Sequence, residues 1–446
     1  MTVLWTDGLI FLLLFTVAAM VFSMRGKEHL KRPLQTIKSS SVGMVSLTVL
    51  VFFVAIGLLD SIHFKSSEQG AEIISVLDYL ATPLREHGEK TYSAPFATTL
   101  YNKEMMTANN GSMVWDYPRL QFGGQHLVSD NDKLFDILQK AAFGFLQGMG
   151  WFVVLGAAWL GSAIRSAGRL SLLPILLRPV PCTMFVLITL SSTLIYLSGF
   201  YHVLGTDKVG EDVFYQAVKS IRTGLVIGTL TTLIMLPMAI VFGILAGFFR
   251  GFVDDVIQYI YTTLNSIPSV LLIAASVLMV QVYMANHEAD FTSVVVRSDT
   301  RLLFLCLILG VTSWTGLCRL LRAETLKLRE MEYVQAAHAL GVKQHTILMR
   351  HILPNVMHIV LISVVLDFSS LVLAEAVLSY INIGVDPTTY SWGNMINGAR
   401  LEMAREPIVW WSLSAAFVFM FALVLAANLF ADVVQDAFDP RRGTQR

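Results

Sequence analysis

Glu332–Asn355 reads EYVQAAHALGVKQHTILMRHILPN, a polar stretch between two strongly apolar runs. Ala336-Ala337, then Gly341, then His351-Ile352-Leu353-Pro354 predicts a helix, a tight turn, a second helix and a return to apolar sequence. The two alanines would give a smooth helix surface that another protein can approach closely. Gly341 permits the positive φ that ends the first helix. Pro354 falls where a helix begins, and there its missing N–H costs nothing. Taken alone, these residues also suit an ordinary amphipathic helix-turn-helix at a membrane surface.

The apolar flanks decide the fold class. The chain has 446 residues, 55% hydrophobic and 14% charged, with zero formal net charge. Soluble domains carry roughly 25% charged residues, so an all-α integral membrane protein is expected. The balanced charge gives no reason to expect a nucleic-acid partner. Apolar stretches of about 20 residues cross the hydrocarbon core as helices, since their backbone groups must be satisfied within the segment. Nine such spans are expected, near 8–24, 42–60, 141–164, 182–202, 218–248, 255–284, 302–321, 355–380 and 408–431. The first lacks a basic n-region, and Met24-Arg25-Gly26-Lys27 makes a poor cleavage site, so it is expected to be retained.

Between spans two and three lies a long polar segment, 61–140, with Pro83, Pro95, Pro118 and an Asn109-Asn110-Gly111 turn. It is expected to form a small external subdomain, closed by the amphipathic run Lys133–Phe145. The chain then divides into N-terminal helices (1–60), this external segment (61–140), a further helix pair (141–203) and a transmembrane core (204–446). Lysine and arginine in short loops set orientation. Arg25, Lys27, Lys31, Arg32 and Lys38, then Arg165, Arg169 and Arg178, Arg250, the run Arg319 to Arg350, and Arg441, Arg442 and Arg446 all fall on one side of a nine-span chain. That side is then cytoplasmic, with the C-terminus inside and the N-terminus outside.

From His202 onward an ordered series of motifs appears. His202-Val203-Leu204-Gly205-Thr206-Asp207 with Gly210-Glu211-Asp212-Val213 is a Gly-rich turn that offers Thr and Asp for capping the next helix. Arg222 opens the following span. Ser266-Ile267-Pro268 breaks a span, because proline frees a carbonyl and kinks the helix. Trp314-Thr315-Gly316-Leu317-Cys318-Arg319-Leu320-Leu321-Arg322 leads into the 322–355 loop. Later come Glu375-Ala376-Val377-Leu378-Ser379-Tyr380, Ser391-Trp392-Gly393-Asn394-Met395 and Asp432 to Arg441. Belt tryptophans, snorkelling arginines and solvated helix ends explain several of these singly, but not their order.

Together they resemble the membrane subunits of ABC importers, most closely the C-type permeases for peptides and nickel, whose cytoplasmic "EAA" loop matches 332–355. Gln335, His351, Glu211 and Gln435 depart from the common patterns. The resemblance covers about 200–446, with either 182–202 or 42–60 as the family's first helix. It implies a type I importer core carrying extra N-terminal helices and an external loop subdomain. It implies that Glu332, Gln335, Ala336, Ala337, Gly341, His351 and Pro354 couple the chain to a separate ATPase. The implied partners are cytoplasmic ABC ATPase subunits, a second related permease in a heterodimer, an external solute-binding protein, membrane lipid and a substrate, an oligopeptide or dipeptide. The implied place is a bacterial inner membrane.

Asp367 and Glu375 lie inside an apolar span, where carboxylates are costly and default to functional candidates, here for a translocation path. Glu375 also suits bracing of a helix end. No GxxxxGK[ST] occurs, so ATP would be bound by the partner and no cofactor is expected here. HExxH, CxxC and GxSxG are absent, the ten histidines lack ligand spacing, and no enzyme site is expected. Cys182, Cys306 and Cys318 are expected to be buried and inert. An ion-coupled secondary transporter is the alternative, but it calls for several intramembrane carboxylates and an inverted repeat.

Overall fold

A computed structural model describes residues 4–24, 28–65, 73–107, 113–127, 130–167, 179–287 and 293–438. The Asn109-Asn110-Gly111 turn, Arg25, Lys27, Arg169, Arg178, and Asp439 to Arg446 lie outside the described residues. Helices dominate, and two short antiparallel hairpins are the only sheets among the described residues.

Seven described helices are long and apolar enough to span a bilayer: Ser41–Asp60, Lys133–Ala157, Pro179–Ser198, Val213–Phe249, Ser269–Asn286, Gln344–Tyr380 and Trp411–Phe438. The nine expected spans are not all matched among the described residues. The one expected at 8–24 falls on the first helix, α1 (Trp5–Met24). The stretch expected at 302–321 is divided at Trp314, and the helix that holds its first half, Val294–Ser313, begins earlier and carries Arg297, Asp299 and Arg301. The span expected at 255–284 is likewise two helices, Phe252–Ser266 and Ser269–Asn286, broken at Ile267-Pro268. Proline cannot donate the intrahelical bond there.

The chain forms two compact units. One comprises Lys38–Arg222 and Tyr390–Ala426. After α2 (Glu28–Ser39), helix α3 (Ser41–Asp60) leads to strands β1 (His63–Lys65) and β2 (Ile73–Ser75) and two short helices, α4 (Val76–Leu80) and α5 (Thr82–Glu86). The Ser75 hydroxyl and the Asp78 carboxylate form a capping box on α4. Strands β3 (Glu104–Thr107) and β4 (Met113–Asp116) pair with Met105 opposite Trp115. The amphipathic run expected to close the external segment is instead the start of a 35-residue helix, α6 (Lys133–Ala167). At 1.5 Å per residue it is about 50 Å long, beyond the ~30 Å hydrocarbon core, so apolar and amphipathic stretches share one rod. It lies antiparallel on α7 (Pro179–Ser198), and small residues bring the backbones close. A Cβ at Gly144 would sit 2.8 Å from Thr193 Cα, and one at Gly148 would sit 2.7 Å from Thr189 Cα. Cys182, on α7, is exposed rather than buried.

The other unit comprises Met1–Ile37, Thr223–Thr389 and Ala427–Arg446. It takes in most of α8 (Val213–Phe249), then α9 (Phe252–Ser266), α10 (Ser269–Asn286), α11 (Val294–Ser313), α12 (Thr315–Arg329), α13 (Glu332–Ala339), α14 (Gln344–Ile347) and α15 (Leu353–Tyr380). Helix α16 (Trp392–Glu402) belongs to the first unit, and α17 (Trp411–Phe438) runs through both. Two cores hold this second unit. Val226, Ile227 and Leu230 of α8 meet Val277, Leu305 and Leu309 of α10 and α11. Met235, Ile244 and Phe248 of α8 meet Tyr261, Leu321, Val334, Ile347 and Val356. Each buried side chain of this size contributes about 1.5–3 kcal/mol when the alternative is water, and much less when it is lipid. The second core takes in Val334 and Ala337 of α13.

Candidate functional site

Helix α13 begins at Glu332 and ends in a turn at Gly341, whose φ is +75°. The Gly341 N–H donates to His338 O at 3.0 Å and the Val342 N–H to Ala337 O at 3.1 Å. These two bonds are the Schellman arrangement, which satisfies the last carbonyls of a helix when the residue after its cap is left-handed. Val342 then packs against the core that holds Val334 and Ala337.

The two alanines part company. Ala336 is exposed, whereas Ala337 is 9% exposed and joins the unit's own core. A partner approaching α13 meets Ala336, Gln335 and Glu332, and enlarging Ala337 would first disturb internal packing. Gln335 donates from Nε2 to Glu330 Oε2 at 3.3 Å, which steadies it beside the preceding turn. The predicted second helix exists but has no break at Pro354. Residues Gln344–Ile347 run through a π-helical turn, Leu348–Ile352, into α15, with Pro354 in its first turn. A proline has no N–H for the carbonyl four residues back, and a wider turn accommodates that loss. His351 sits in this π turn, its ring 6.1 Å from the Tyr333 ring. Asn355 bridges the same residues, donating to His351 O at 2.6 Å and Tyr333 Oη at 3.1 Å.

Sequence reading missed what fixes α12, the helix leading into α13, to the bundle. Arg322 grips Asp254 through two bonds, Nε to Oδ1 at 2.6 Å and Nη2 to Oδ2 at 2.7 Å. The Arg322 guanidinium holds the Asp254 carboxyl below its usual range. Bidentate charge-assisted pairs fix both angle and distance, so α9 and α12 move as one body. Arg329 donates to Phe248 O at 2.8 Å, at the C-terminus of α8, and Arg250 pairs with Glu330 at 2.6 Å. Gly247 lets α8 approach α12 closely: a Cβ there would lie 2.6 Å from Thr325 Cβ. A cleft of about 400 Å³ remains beside α13, lined by Phe248, Phe249, Glu330, Gln335, His338 and Gln344. Asp254 and Arg322 lie 68 residues apart, and nothing in their local sequence links them.

The two intramembrane carboxylates lie on α15 without meeting. Glu375 is buried and accepts from the Ser379 hydroxyl one turn on, at 2.7 Å. Asp367 is half-buried, and among the described residues its carboxylate has no hydrogen-bond partner.

In the other unit, the turn at His202–Val213 is closely tied. Gly205 and Gly210 have φ of +73° and +87°. Thr206 donates to Thr91 O at 2.9 Å and accepts from Ser93 N–H at 2.7 Å, while Trp411 Nε1 donates to Thr206 O at 2.9 Å. Asp212 accepts from Phe214 N–H at 2.8 Å and so caps α8. Ser391 caps α16 in the same way, accepting from Asn394 N–H at 3.0 Å. His202 is buried between Asp212 and Glu89, a pairing that no motif signalled.

Residues 239–444 match the family described as "Binding-protein-dependent transport system inner membrane component". The chain is 30% identical to the dipeptide transport system permease protein of Lactococcus lactis over 54% of its own length and 64% of that protein's. It thus spans just under two thirds of that relative. It is 32% identical to the glutathione transport system permease protein of Pectobacterium atrosepticum over 54% of this chain and 73% of that one. Against the oligopeptide transport system permease protein of Mycobacterium tuberculosis it is 29% identical over 55% of this chain and 80% of the other.

Proposed function

The chain belongs to the family of binding-protein-dependent transport system inner membrane components, and on that premise we propose that it is a permease subunit of an ATP-driven importer of oligopeptides or dipeptides. The observation that carries this reading is α13 itself, a short helix closed by a glycine turn and packed through Val334 and Ala337 on the core it shares with α8, α9 and α12, with the Arg322–Asp254 and Arg250–Glu330 pairs bracing the elements behind it. A push on such a helix is delivered to the membrane helices as rigid-body motion, which is what alternating access requires. Glu332, Gln335, Ala336 and Gly341 form or shape the face met by a cytoplasmic ATPase; Ala337, His351 and Pro354 hold that face in place. ATP is bound by the partner. The relatives named for dipeptide, oligopeptide and glutathione transport support a peptide substrate. A second, related permease completes the pathway, and a solute-binding protein delivers the peptide from outside.

Reconstitution tests this. Proteoliposomes holding the chain with a partner permease, its ATPases and binding protein should take up labelled trialanine only with ATP. Uptake should stop when the ATPase loses its phosphate-binding lysine. Uptake driven by a proton or sodium gradient without ATP would instead establish the secondary-transporter reading.

The orientation belongs to the same proposal: Glu332–Asn355 and the C-terminus in the cytoplasm, residues 61–140 and the N-terminus outside. With Cys182 replaced by serine, a cysteine at exposed Lys103 should react with an impermeant maleimide from outside only, and one at exposed Lys343 from inside only. Labelling of the Lys103 position from the cytoplasm would overturn this topology.

A further inference from the structure

Helix α11 begins at an N-cap, Ser293, whose side chain accepts from Val296 N–H. One turn apart on this helix, Arg297 and Arg301 turn toward the loop that follows α15. That loop is firmly set. Asn382 takes a left-handed φ of +63°, its N–H bonds Ser379 O at 2.9 Å, and Ile383 N–H bonds Leu378 O at 2.9 Å. Asp386 accepts from Thr388 through both its N–H, at 3.0 Å, and its hydroxyl, at 2.7 Å. Thr388 in turn bonds Ser298 on α11 at 3.0 Å.

Against this frame the arginines are poorly satisfied. Arg301 reaches Asp386 Oδ2 and Gly384 O only at 3.4 Å each. Arg297 Nε stands 4.0 Å from the same Oδ2, beyond hydrogen-bond reach. Among the described residues, the Nε atoms of both arginines are buried without a hydrogen-bond partner. Two guanidinium groups offer ten N–H donors, while among the described residues one carboxylate, already engaged by Thr388, faces them. Asp299 does not help, because it points to Thr6 on α1, from whose N–H and hydroxyl it accepts. A buried donor without an acceptor is costly, and two together with surplus positive charge mark a place made for an added oxyanion. Arg297 keeps a side chain 41% exposed, so the place is open to solution.

We propose that Arg297 and Arg301 form an oxyanion-binding site beside the 384–388 loop, and that its occupant is the carboxylate of the transported solute. The proposal rests on the importer reading and on the orientation above, which puts the start of α11 outside. A free peptide C-terminus has the planar pair of oxygens that two guanidinium forks accept side by side.

Two measurements on the complete transporter test it. In nanodiscs of zwitterionic lipid, phenylglyoxal adducts at Arg297, read by mass spectrometry, should form several-fold more slowly with trialanine or acetate present, but not with trialanine amide. In proteoliposomes, Arg297→Gln and Arg301→Gln should each lower uptake of trialanine relative to its amide by roughly tenfold, the loss expected for one charge-assisted pair. Arg301→Lys should restore part of the preference. Protection by acetate without any ATP-driven trialanine uptake would keep the site and sink the peptide reading. Normal ATP-driven uptake with no protection and an unchanged acid-to-amide ratio would sink the site and keep that reading. Protection that appears with phosphatidylglycerol in the disc and no peptide would assign the arginines to a lipid headgroup and overturn the proposal.

Discussion

Gly341→Val should insert normally, yet lose most ATP-driven uptake and partner ATPase association together, while Gly341→Asn should keep both. Gly341 holds φ at +75°, and a Cβ placed there would meet no atom within 4 Å. The Cβ itself meets no clash, so the effect reports chiefly backbone strain. Left-handed φ costs an ordinary residue about 1–2 kcal/mol and a β-branched one more, whereas Asn visits this region readily. Relief of that strain would open the Gly341–His338 and Val342–Ala337 bonds and pull Val342 from its core. Gln344–Ile347, and the long helix behind it, would then leave α13 at another angle. A shift of 1.4 kcal/mol is tenfold in an equilibrium, so uptake should fall by about an order of magnitude. Co-purification of the ATPases with each variant, alongside uptake, is the measurement. Full uptake by the valine variant with partners still bound would remove Glu332–Asn355 from the coupling role.

That turn was legible because its chemistry is local. A glycine after a helical run, and a proline in Ser266-Ile267-Pro268, impose their geometry on immediate neighbours, and the chain breaks or turns there. The bilayer makes the spans legible too, since length and apolarity alone decide them. Reading fails where contacts are remote or where two signals overlap. Asp254 and Arg322 resemble a solvated helix start and a positive-inside arginine until the fold closes 68 residues into a 2.6 Å bond. Arg297, Asp299 and Arg301 shorten an apolar run, yet each has its own place in the unit. Lys133–Phe145 carries an amphipathic pattern that stops nothing, because no helix breaker separates it from the span that follows. The division of Ala336 from Ala337 is a matter of helix phase, which two identical neighbours cannot report.

The fold around residues 89, 121–123 and 202–213 should be most stable at mildly acidic pH and should loosen as pH rises from about 6.5 to about 9, through His202. This imidazole is 4% exposed, with Nδ1 2.8 Å from Asp212 Oδ2 and Nε2 3.5 Å from Glu89 Oε1. Burial alone would lower its pKa, but the two carboxylates outweigh burial and lift it from 6.5 to about 9. A group whose folded pKa is raised contributes its full stabilisation below the unfolded value and loses it as pH climbs through the folded one. The contribution is about 3 kcal/mol below pH 6.5, falling away toward pH 9. Glu89 sets the acid side. Burial would raise its pKa, yet bonds from His202 and from the N–H groups of Gln121, Phe122 and Gly123 hold it below 4.5. Its contribution is therefore present above that value and is lost as pH falls. Because Glu89 gathers the 121–123 backbone and Asp212 caps α8, the charged ring joins three separate stretches of one unit. His202→Leu would leave two buried carboxylates without their cation, a loss of about 3–5 kcal/mol. Hydrogen exchange of the 121–123 amides in the wild type should accelerate between pH 7 and 9.5 beyond the intrinsic base-catalysed increase. In the leucine variant those amides should already be fast at pH 7 and should show no further opening. Wild-type opening that stays constant across this range would show that His202 is not held charged by its neighbours.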